Sequence, residues 1–170
     1  MTFIQGGIAL TTIAVDWGAS RVLLTWQQST ELPPRHLITS VHGFCFHHQQ
    51  LLLVDLHHRG WDFPGGHIEI DETPEACFRR EAMEEGYVEG DCILLGYMII
   101  DHSENSQWND ASPYPMIGYQ VFYRMDIHAL HPFAAKYESS QRVLINPSDV
   151  ADYYSGWHEV YQEILDCALT

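Results

Sequence analysis

Lysine is almost missing from this chain of 170 residues: Lys136 is the single one, and 8 basic residues in all stand against 23 acidic ones, a formal charge of −15. So negative a surface repels phosphate backbones and anionic headgroups, which argues against nucleic acid or an acidic membrane face as partner. No apolar run reaches the roughly 18 residues of a helical membrane span. The first thirty residues lack a basic stretch followed by an uninterrupted apolar one, so no secretory leader is expected. Cysteine is sparse and unpatterned. Cys45, Cys77, Cys92 and Cys167 show neither C-x-x-C nor zinc-type spacing, which predicts no disulfide framework and fits a reducing, cytoplasmic setting. Histidine is plentiful, but the pairs His47-His48 and His57-His58 are adjacent. Neighbours on a strand point to opposite faces, so neither pair suits a single ion. No repeat or low-complexity segment is visible.

What is present is a chain 46% hydrophobic, long enough for one well-buried core and short for two. One domain is expected over 1–170, with residues 1–35 as an N-terminal hairpin extension and 36–170 as the core. Ile8–Val15 and Val22–Gln27, around Asp16-Trp17-Gly18-Ala19-Ser20, read as the hairpin. Strands are predicted near 37–46, 50–57, 92–100, 117–127 and 141–145. Asn146-Pro147-Ser148-Asp149 is a helix start, Gly156 a break, and Trp157, Val160, Tyr161, Ile164, Leu165 and Ala168 form a helical core stripe. This order predicts an α/β fold, a mixed β-sheet covered by helices on both faces. The polar segment Asp101–Pro115, between two strands, is long for a compact domain and predicts a functional or mobile loop. Trp108 or Tyr114 in it can stack on a base or apolar group; a plain surface loop is the other reading.

The most informative residues are Glu81, Glu84 and Glu85. Spacings of three and four put them on one helix face. Thr73 suits the N-cap, Pro74 the first helical position and Gly86 the left-handed C-terminal position, so these carboxylates fall in the last turn. That end of a helix disfavours anions by roughly 0.3–1 kcal/mol each, and like charges four apart repel by a similar amount. A bound divalent cation reverses both effects, although an isolated E-x-x-E-E is also met as a solvated acidic helix end.

The surroundings decide between these. Upstream lies Trp61-Asp62-Phe63-Pro64-Gly65-Gly66, an irregular, closely approachable backbone able to turn a carbonyl toward the helix. Gly66, five residues, Glu72, seven residues, then Arg80-Glu81-Ala82-Met83-Glu84-Glu85 resembles the signature of the Nudix hydrolase family, MutT-like, in every fixed position to Glu85. Six such identities arise by chance on the order of once in 10^5 chains this long. The direct match covers about 28 residues including the W-x-F-P-G-G run, with the signature at 66–88. The resemblance implies a Nudix-type α/β/α sandwich with a mixed β-sheet and hydrolysis of the pyrophosphate linkage in a nucleoside diphosphate joined to another moiety. It implies Mg²⁺ (or Mn²⁺) held by Glu81, Glu85, Glu84 and the Gly65 carbonyl, with Glu72, Arg80 and Gly66 in support. Because the chain has so few cations, strict metal dependence is expected, with Arg35, Arg59 and Arg80 as candidate helpers. Arg80 fits better as a structural residue that holds Glu84 or a loop carboxylate.

In many family members a loop carboxylate serves as base or extra ligand. Glu138 is taken for that role, with Glu104 as rival, so Glu85, Glu84 and Glu138 are the expected catalytic residues. Arg59, His67, Trp108 and Tyr114 are the expected substrate contacts. His67 stands where related sequences often carry Lys, which would weaken a phosphate contact or make it pH-dependent; a loop histidine facing water is the alternative. The family usually has Gly where Tyr87 stands. Tyrosine disfavours positive φ, so the helix is predicted to stop one residue early, with Gly86 in the left-handed conformation. The proline that often marks ADP-ribose cleavers is absent at its usual offset. W-x-F-P-G-G-x-I-E is similar to the stretch in oxidised-nucleotide cleaners, so a nucleoside triphosphate is favoured. A small nucleotide is therefore the expected partner, and a homodimer is compatible with the sequence. Two other classes share features with the sequence: a catalytically silent nucleotide sensor, should the Gly86-Tyr87 shift spoil the site, and a sugar kinase, whose phosphate hairpin Ile13–Arg21 resembles but whose two large lobes this chain is too short to supply.

Overall fold

The computed structural model describes the backbone of residues 3–5 and 8–170, with side chains described from residue 10 on. Of the expected N-terminal extension, residues 1, 2, 6 and 7 lie outside this range. Among the described residues there are eleven strands: β1 (Phe3–Gln5), β2 (Ile8–Leu10), β3 (Thr12–Trp17), β4 (Ser20–Gln28), β5 (Ile38–His47), β6 (Gln50–Leu56), β7 (Gly60–Asp62), β8 (Gly65–His67), β9 (Val88–Asp101), β10 (Ile117–Leu130) and β11 (Ser139–Ile145). Helix α1 (Pro74–Gly86) lies between β8 and β9, and α2 (Val150–Tyr153) and α3 (Glu159–Leu169) follow β11. The expected hairpin forms only from residue 12 on: Ile8–Leu10 pairs with Phe3–Gln5 instead, and Thr12–Trp17 pairs with β4 in a tighter turn, Trp17 already opposite Ser20 across Gly18-Ala19. β1 and β2 pair only with each other; the remaining strands make one sheet in the order β11-β6-β5-β10-β9-β4-β3, with β7 on β6 and β8 on β5. It is mixed: β10 runs parallel to β5 and antiparallel to β9.

Period-two alternation sends successive side chains to two separate cores. Phe44 and Phe46 of β5, Leu51 and Leu53 of β6, and Phe122 of β10 join Val160, Ile164 and Leu165 of α3 on one face. Val41 and Cys45, Leu52, and Val121, Tyr123 and Met125 of the same three strands join Cys77, Phe78 and Ala82 of α1 on the other. The result is the α/β/α sandwich anticipated from the sequence. Asn146 caps the turn before α2, its carboxamide oxygen accepting the Ser148 N–H at 3.1 Å. Trp157 of the expected stripe precedes α3 rather than belonging to it, and His158 supplies the cap by accepting from Tyr161 N.

Helix α1 starts as expected, the Thr73 hydroxyl accepting the Ala76 N–H at 3.1 Å. It does not stop early, and the expectation for Gly86 is corrected. Gly86 is the last helical residue and Tyr87 takes the left-handed conformation, with φ 55° and ψ 44°. Packing outweighs backbone preference here. A Cβ on Gly86 would sit 2.8 Å from Leu52 Cδ2, so glycine is required for the close approach of α1 to β6. Tyr87 offsets its backbone cost through its ring, 4.9 Å from that of Phe133, and its hydroxyl, which accepts the Lys136 N–H at 2.8 Å. Tyr87→Phe should therefore lose about 1 kcal/mol, one hydrogen bond, and Tyr87→Ala about 3 kcal/mol, measured by chemical denaturation. Equal losses would show that the ring contributes nothing.

Candidate active site

Two features of α1 bring the site together. Its C-terminal turn carries the glutamates, and the β7–β8 loop folds back over that turn. Glu85 is 3% exposed, and its Oε2 accepts the Gly65 N–H at 3.0 Å. The expected approach of this loop is present, but the group of Gly65 that engages the helix is its amide. Beside it, a Cβ on Gly66 would fall 2.3 Å from Glu81 Oε1, so only glycine lets the loop lie so near that carboxylate. Ser139, fully buried, donates its hydroxyl to the Glu85 carbonyl at 2.6 Å. This pins the start of β11 to the helix and brings Glu138 to the site.

The electrostatics follow from this crowding. Burial, reinforced by Glu81, Asp62 and Glu138, pushes the Glu85 carboxyl up to about 8 against the opposing Gly65 hydrogen bond. Burial also raises Glu81, with Arg80 pulling the other way and Glu84 and Glu138 adding to the rise. Asp62 rises to about 6 through burial, although the Phe63 N–H and Arg59 favour its ionised form. Sequence reasoning missed Asp62. Its one signal was a lone acid inside the otherwise apolar strand end Trp61–Phe63.

Arg80 is the organising cation. Its Nε and Nη2 grip the two Glu72 oxygens at 2.8 and 3.1 Å. Its Nη1 donates to Glu81 at 2.7 Å and reaches Glu84 at 3.5 Å. Glu72, lowered by Arg80, also accepts the Glu69 N–H at 3.0 Å, so it braces loop against helix. Arg142 was passed over in the sequence. It donates to the Gly86 and His131 carbonyls, both at 2.7 Å, placing a cation at the helix end where the macrodipole calls for one. Arg35 is spent on the Glu69 and Glu72 carbonyls. Glu104, the alternative loop carboxylate, pairs instead with Arg21 at 3.0 Å, on the hairpin.

Next to the glutamates opens a cavity of about 430 Å³. Gly66, His67, Arg59 and His42 line it near the β8 loop, and Trp108 and Tyr114 of the long loop line it as well. The four expected substrate contacts are thus brought to one cavity. Tyr114 stacks beside His67, ring centroids 6.4 Å apart at 26°, and the Trp108 indole N–H donates to the Tyr114 carbonyl at 3.0 Å. His42, missed in the sequence, hydrogen-bonds Ser40 at 2.9 Å. Burial lowers it to about 4, so it is a neutral group at neutral pH.

The donor set fits a hard divalent cation: carboxylates and main-chain oxygens, with no thiolate facing the site. Among the described residues no three His, Cys, Asp or Glu groups already stand at the spacing of one ion's ligands. The carboxylates converge, and Arg80 holds Glu81 to one side.

A family model described as NUDIX domain matches residues 34–162, about three quarters of the chain, so the protein belongs to the Nudix family and is a Nudix hydrolase. No curated protein sequence matches it. Among solved structures it is similar to the Bacillus subtilis pyrophosphohydrolase BsRppH, at 21% identity and TM-score 0.68 over 92% of this chain and 94% of that one. It is similar to an ADP-ribose pyrophosphatase from Streptococcus suis, at 18% identity and TM-score 0.52 over 76% and 88%. The NUDIX domain of Shewanella oneidensis NrtR, complexed with ADP ribose, gives 21% and 0.56 over 78% and 88%. At these identities the likeness concerns the fold. Among the described residues no helix is long and apolar enough to cross a membrane.

The Glu85 carboxyl gives a pH test. Its folded pKa, about 8, lies above its ordinary 4.5, so between these values the folded chain holds a proton that the unfolded chain has lost. Stability is then greatest at low pH and falls as pH rises toward 8. With chelator present, the melting temperature should drop between pH 6 and pH 8, above the range of Asp62, and Glu85→Gln should flatten that drop. An unchanged slope in the variant would mean that Glu85 is ordinary.

Proposed function

We propose that this Nudix hydrolase cleaves the pyrophosphate linkage of a nucleoside diphosphate joined to another moiety, with nucleoside triphosphates as the favoured class. The observation that carries this reading is the gathering of Glu81, Glu85 and Glu138, coupled in charge, behind the Gly65-Gly66 loop, whose Gly66 lines the cavity together with Arg59 and His67. Nudix hydrolases generally use divalent metals, and here Glu81, Glu84, Glu85 and the Gly65 carbonyl are assigned as the groups that hold Mg²⁺ or Mn²⁺. When bound, such an ion neutralises phosphate oxygens and lowers the pKa of water. To hold the ion, Glu85 would have to be ionised and Glu81 would have to turn from Arg80 toward it, Arg80 remaining paired with Glu72.

In the hydrolytic step a water oxygen bonds to one phosphorus, the bridging P–O bond breaks, and the bridging oxygen leaves with the electron pair. Glu138 is assigned as the base that takes the water proton, being on the exposed lip beside Glu85. Arg59 and His67 bind the phosphate oxygens. A catalytically silent nucleotide sensor needs a distorted helix end, whereas Glu85 lies inside the regular helix α1.

Turnover with Mg²⁺ on nucleoside triphosphates, nucleotide sugars, ADP-ribose and dinucleotides, read as phosphate release, tests the reading. Loss of a group merely supporting a metal costs 10–100-fold, so Glu85→Gln should lower kcat/KM by at least about 100-fold without lowering the metal-free melting temperature. Glu138→Gln should also fall at least about 10-fold and Glu104→Gln stay near wild type. The reverse order would move the base to the hairpin side.

A further inference from the structure

The cavity extends well past what a pyrophosphate occupies. From Gly66 and His67 on β8 its lining passes over Ser40 on β5 and Gln120 on β10 to Ile100 on β9, and ends at Ser20 and Trp17 on the β3–β4 hairpin. The lining thus crosses five strand steps. Its chemistry changes along the way. Arg59, the one charged side chain of the lining, is at the β8 end near His42 and Asp62. The hairpin end offers hydroxyl, aromatic, aliphatic, amide and imidazole groups, Ser20, Trp17, Ile100, Asn105 and His102, with the charges of Arg21 and Glu104 beside it paired to each other. A ligand that fits both ends is anionic at one and flat, aromatic and uncharged at the other.

Trp17 is the unexplained residue there. Ile13 and Val15 on the same strand pack against the α3 core, whereas Trp17 stays 44% exposed on the cavity wall. It lies outside residues 34–162 that the family model spans. Across the opening, Arg21 just after the hairpin turn pairs with Glu104 of the long loop at 3.0 Å, so hairpin tip and loop stand together. The Trp108 ring, tethered by its N–H to the Tyr114 carbonyl at 3.0 Å, belongs to that loop. Gln120, half-buried on the sheet between them, offers both a donor and an acceptor.

We infer that the β3–β4 hairpin is part of the substrate site, and that Trp17 stacks on the uncharged heterocyclic base of the nucleotide while the phosphates lie toward Arg59 and Gly66. Trp17 is then a specificity-determining residue supplied by a segment beyond the matched Nudix region. The inference rests on the reading of the site as a nucleotide hydrolase.

The test compares binding of nucleotides with binding of a base-free polyphosphate. Affinities of wild type, Trp17→Ala and Trp17→Phe are measured by calorimetry with Ca²⁺ for ATP, GTP, CTP, UTP, ADP-ribose and inorganic tripolyphosphate. One base–aromatic stack lost weakens binding by roughly 5–100-fold. Trp17→Ala should show that loss for at least one nucleotide and none for tripolyphosphate, and Trp17→Phe should recover most of it. Far-ultraviolet circular dichroism of each variant confirms the fold, which replacement of an exposed residue at a strand end leaves intact. Nucleotide binding by wild type that Trp17→Ala leaves unchanged, or an equal loss for tripolyphosphate, overturns the role of the hairpin alone. Wild type that binds tripolyphosphate but no nucleotide of the panel overturns the inference together with the preference for nucleoside triphosphates on which it rests.

Discussion

A single hydrogen bond between a loop amide and a buried carboxylate, Gly65 N–H to Glu85 Oε2, fixes the geometry of everything around the site. It draws the Pro-Gly-Gly loop onto the end of α1, and that approach is possible only because Gly66 carries no side chain where Glu81 passes. The same bond leaves Glu85 nearly sealed from water. An ionised carboxylate is costly in such a place, and one backbone donor does not compensate for burial beside Glu81, Asp62 and Glu138. The helix end therefore holds back a proton at neutral pH or takes up positive charge. The cations at this helix end are already committed. Arg80 serves Glu72 and Glu81, and Arg142 serves the main-chain carbonyls of the last turn.

Much of this was legible in the residues. The punctuation of α1 by Thr73 and Pro74, the period-two strands and the carboxylate spacing are local signals, and the structure follows them closely. The strand order was not legible, since parallel pairing of β5 with β10 joins residues about eighty positions apart. Gly86 and Tyr87 show where local reasoning fails. Backbone preference assigns the left-handed residue to glycine, but Leu52 leaves no room for a side chain at position 86, and the tyrosine ring finds its partners in Phe133 and Lys136. Those partners lie some fifty residues downstream, beyond the reach of any local rule.

Within the site the same division holds. Glu81, Glu84 and Glu85 were readable because one helix sets their spacing, and Glu72 because it belongs to the same short motif. Arg59, Trp108 and Tyr114 reach a common cavity through tertiary contacts that spacing does not reveal, although loop length and aromatic content drew attention to them. Asp62, His42, Ser139 and Arg142 were overlooked because each gains its meaning from a neighbour distant in sequence. Ser139 is the clearest case: an unremarked hydroxyl at a strand start is what joins β11 to the carbonyl of Glu85.

The sheet order has one more consequence. Glu81 and Glu85 belong to α1, which packs chiefly on β8, β5, β9 and β6, whereas the far wall of the cavity belongs to β3 and β4 at the opposite margin of the sheet. The acidic end and the distant wall thus share the sheet but not one face of it, α1 packing on the side of Val41 and Cys45 and the cavity opening on the side of Phe44 and Phe122. Substitutions in the margin strands can reshape which molecules the cavity admits while the acidic turn goes on working undisturbed, so the two halves of the molecule are free to diverge at different rates.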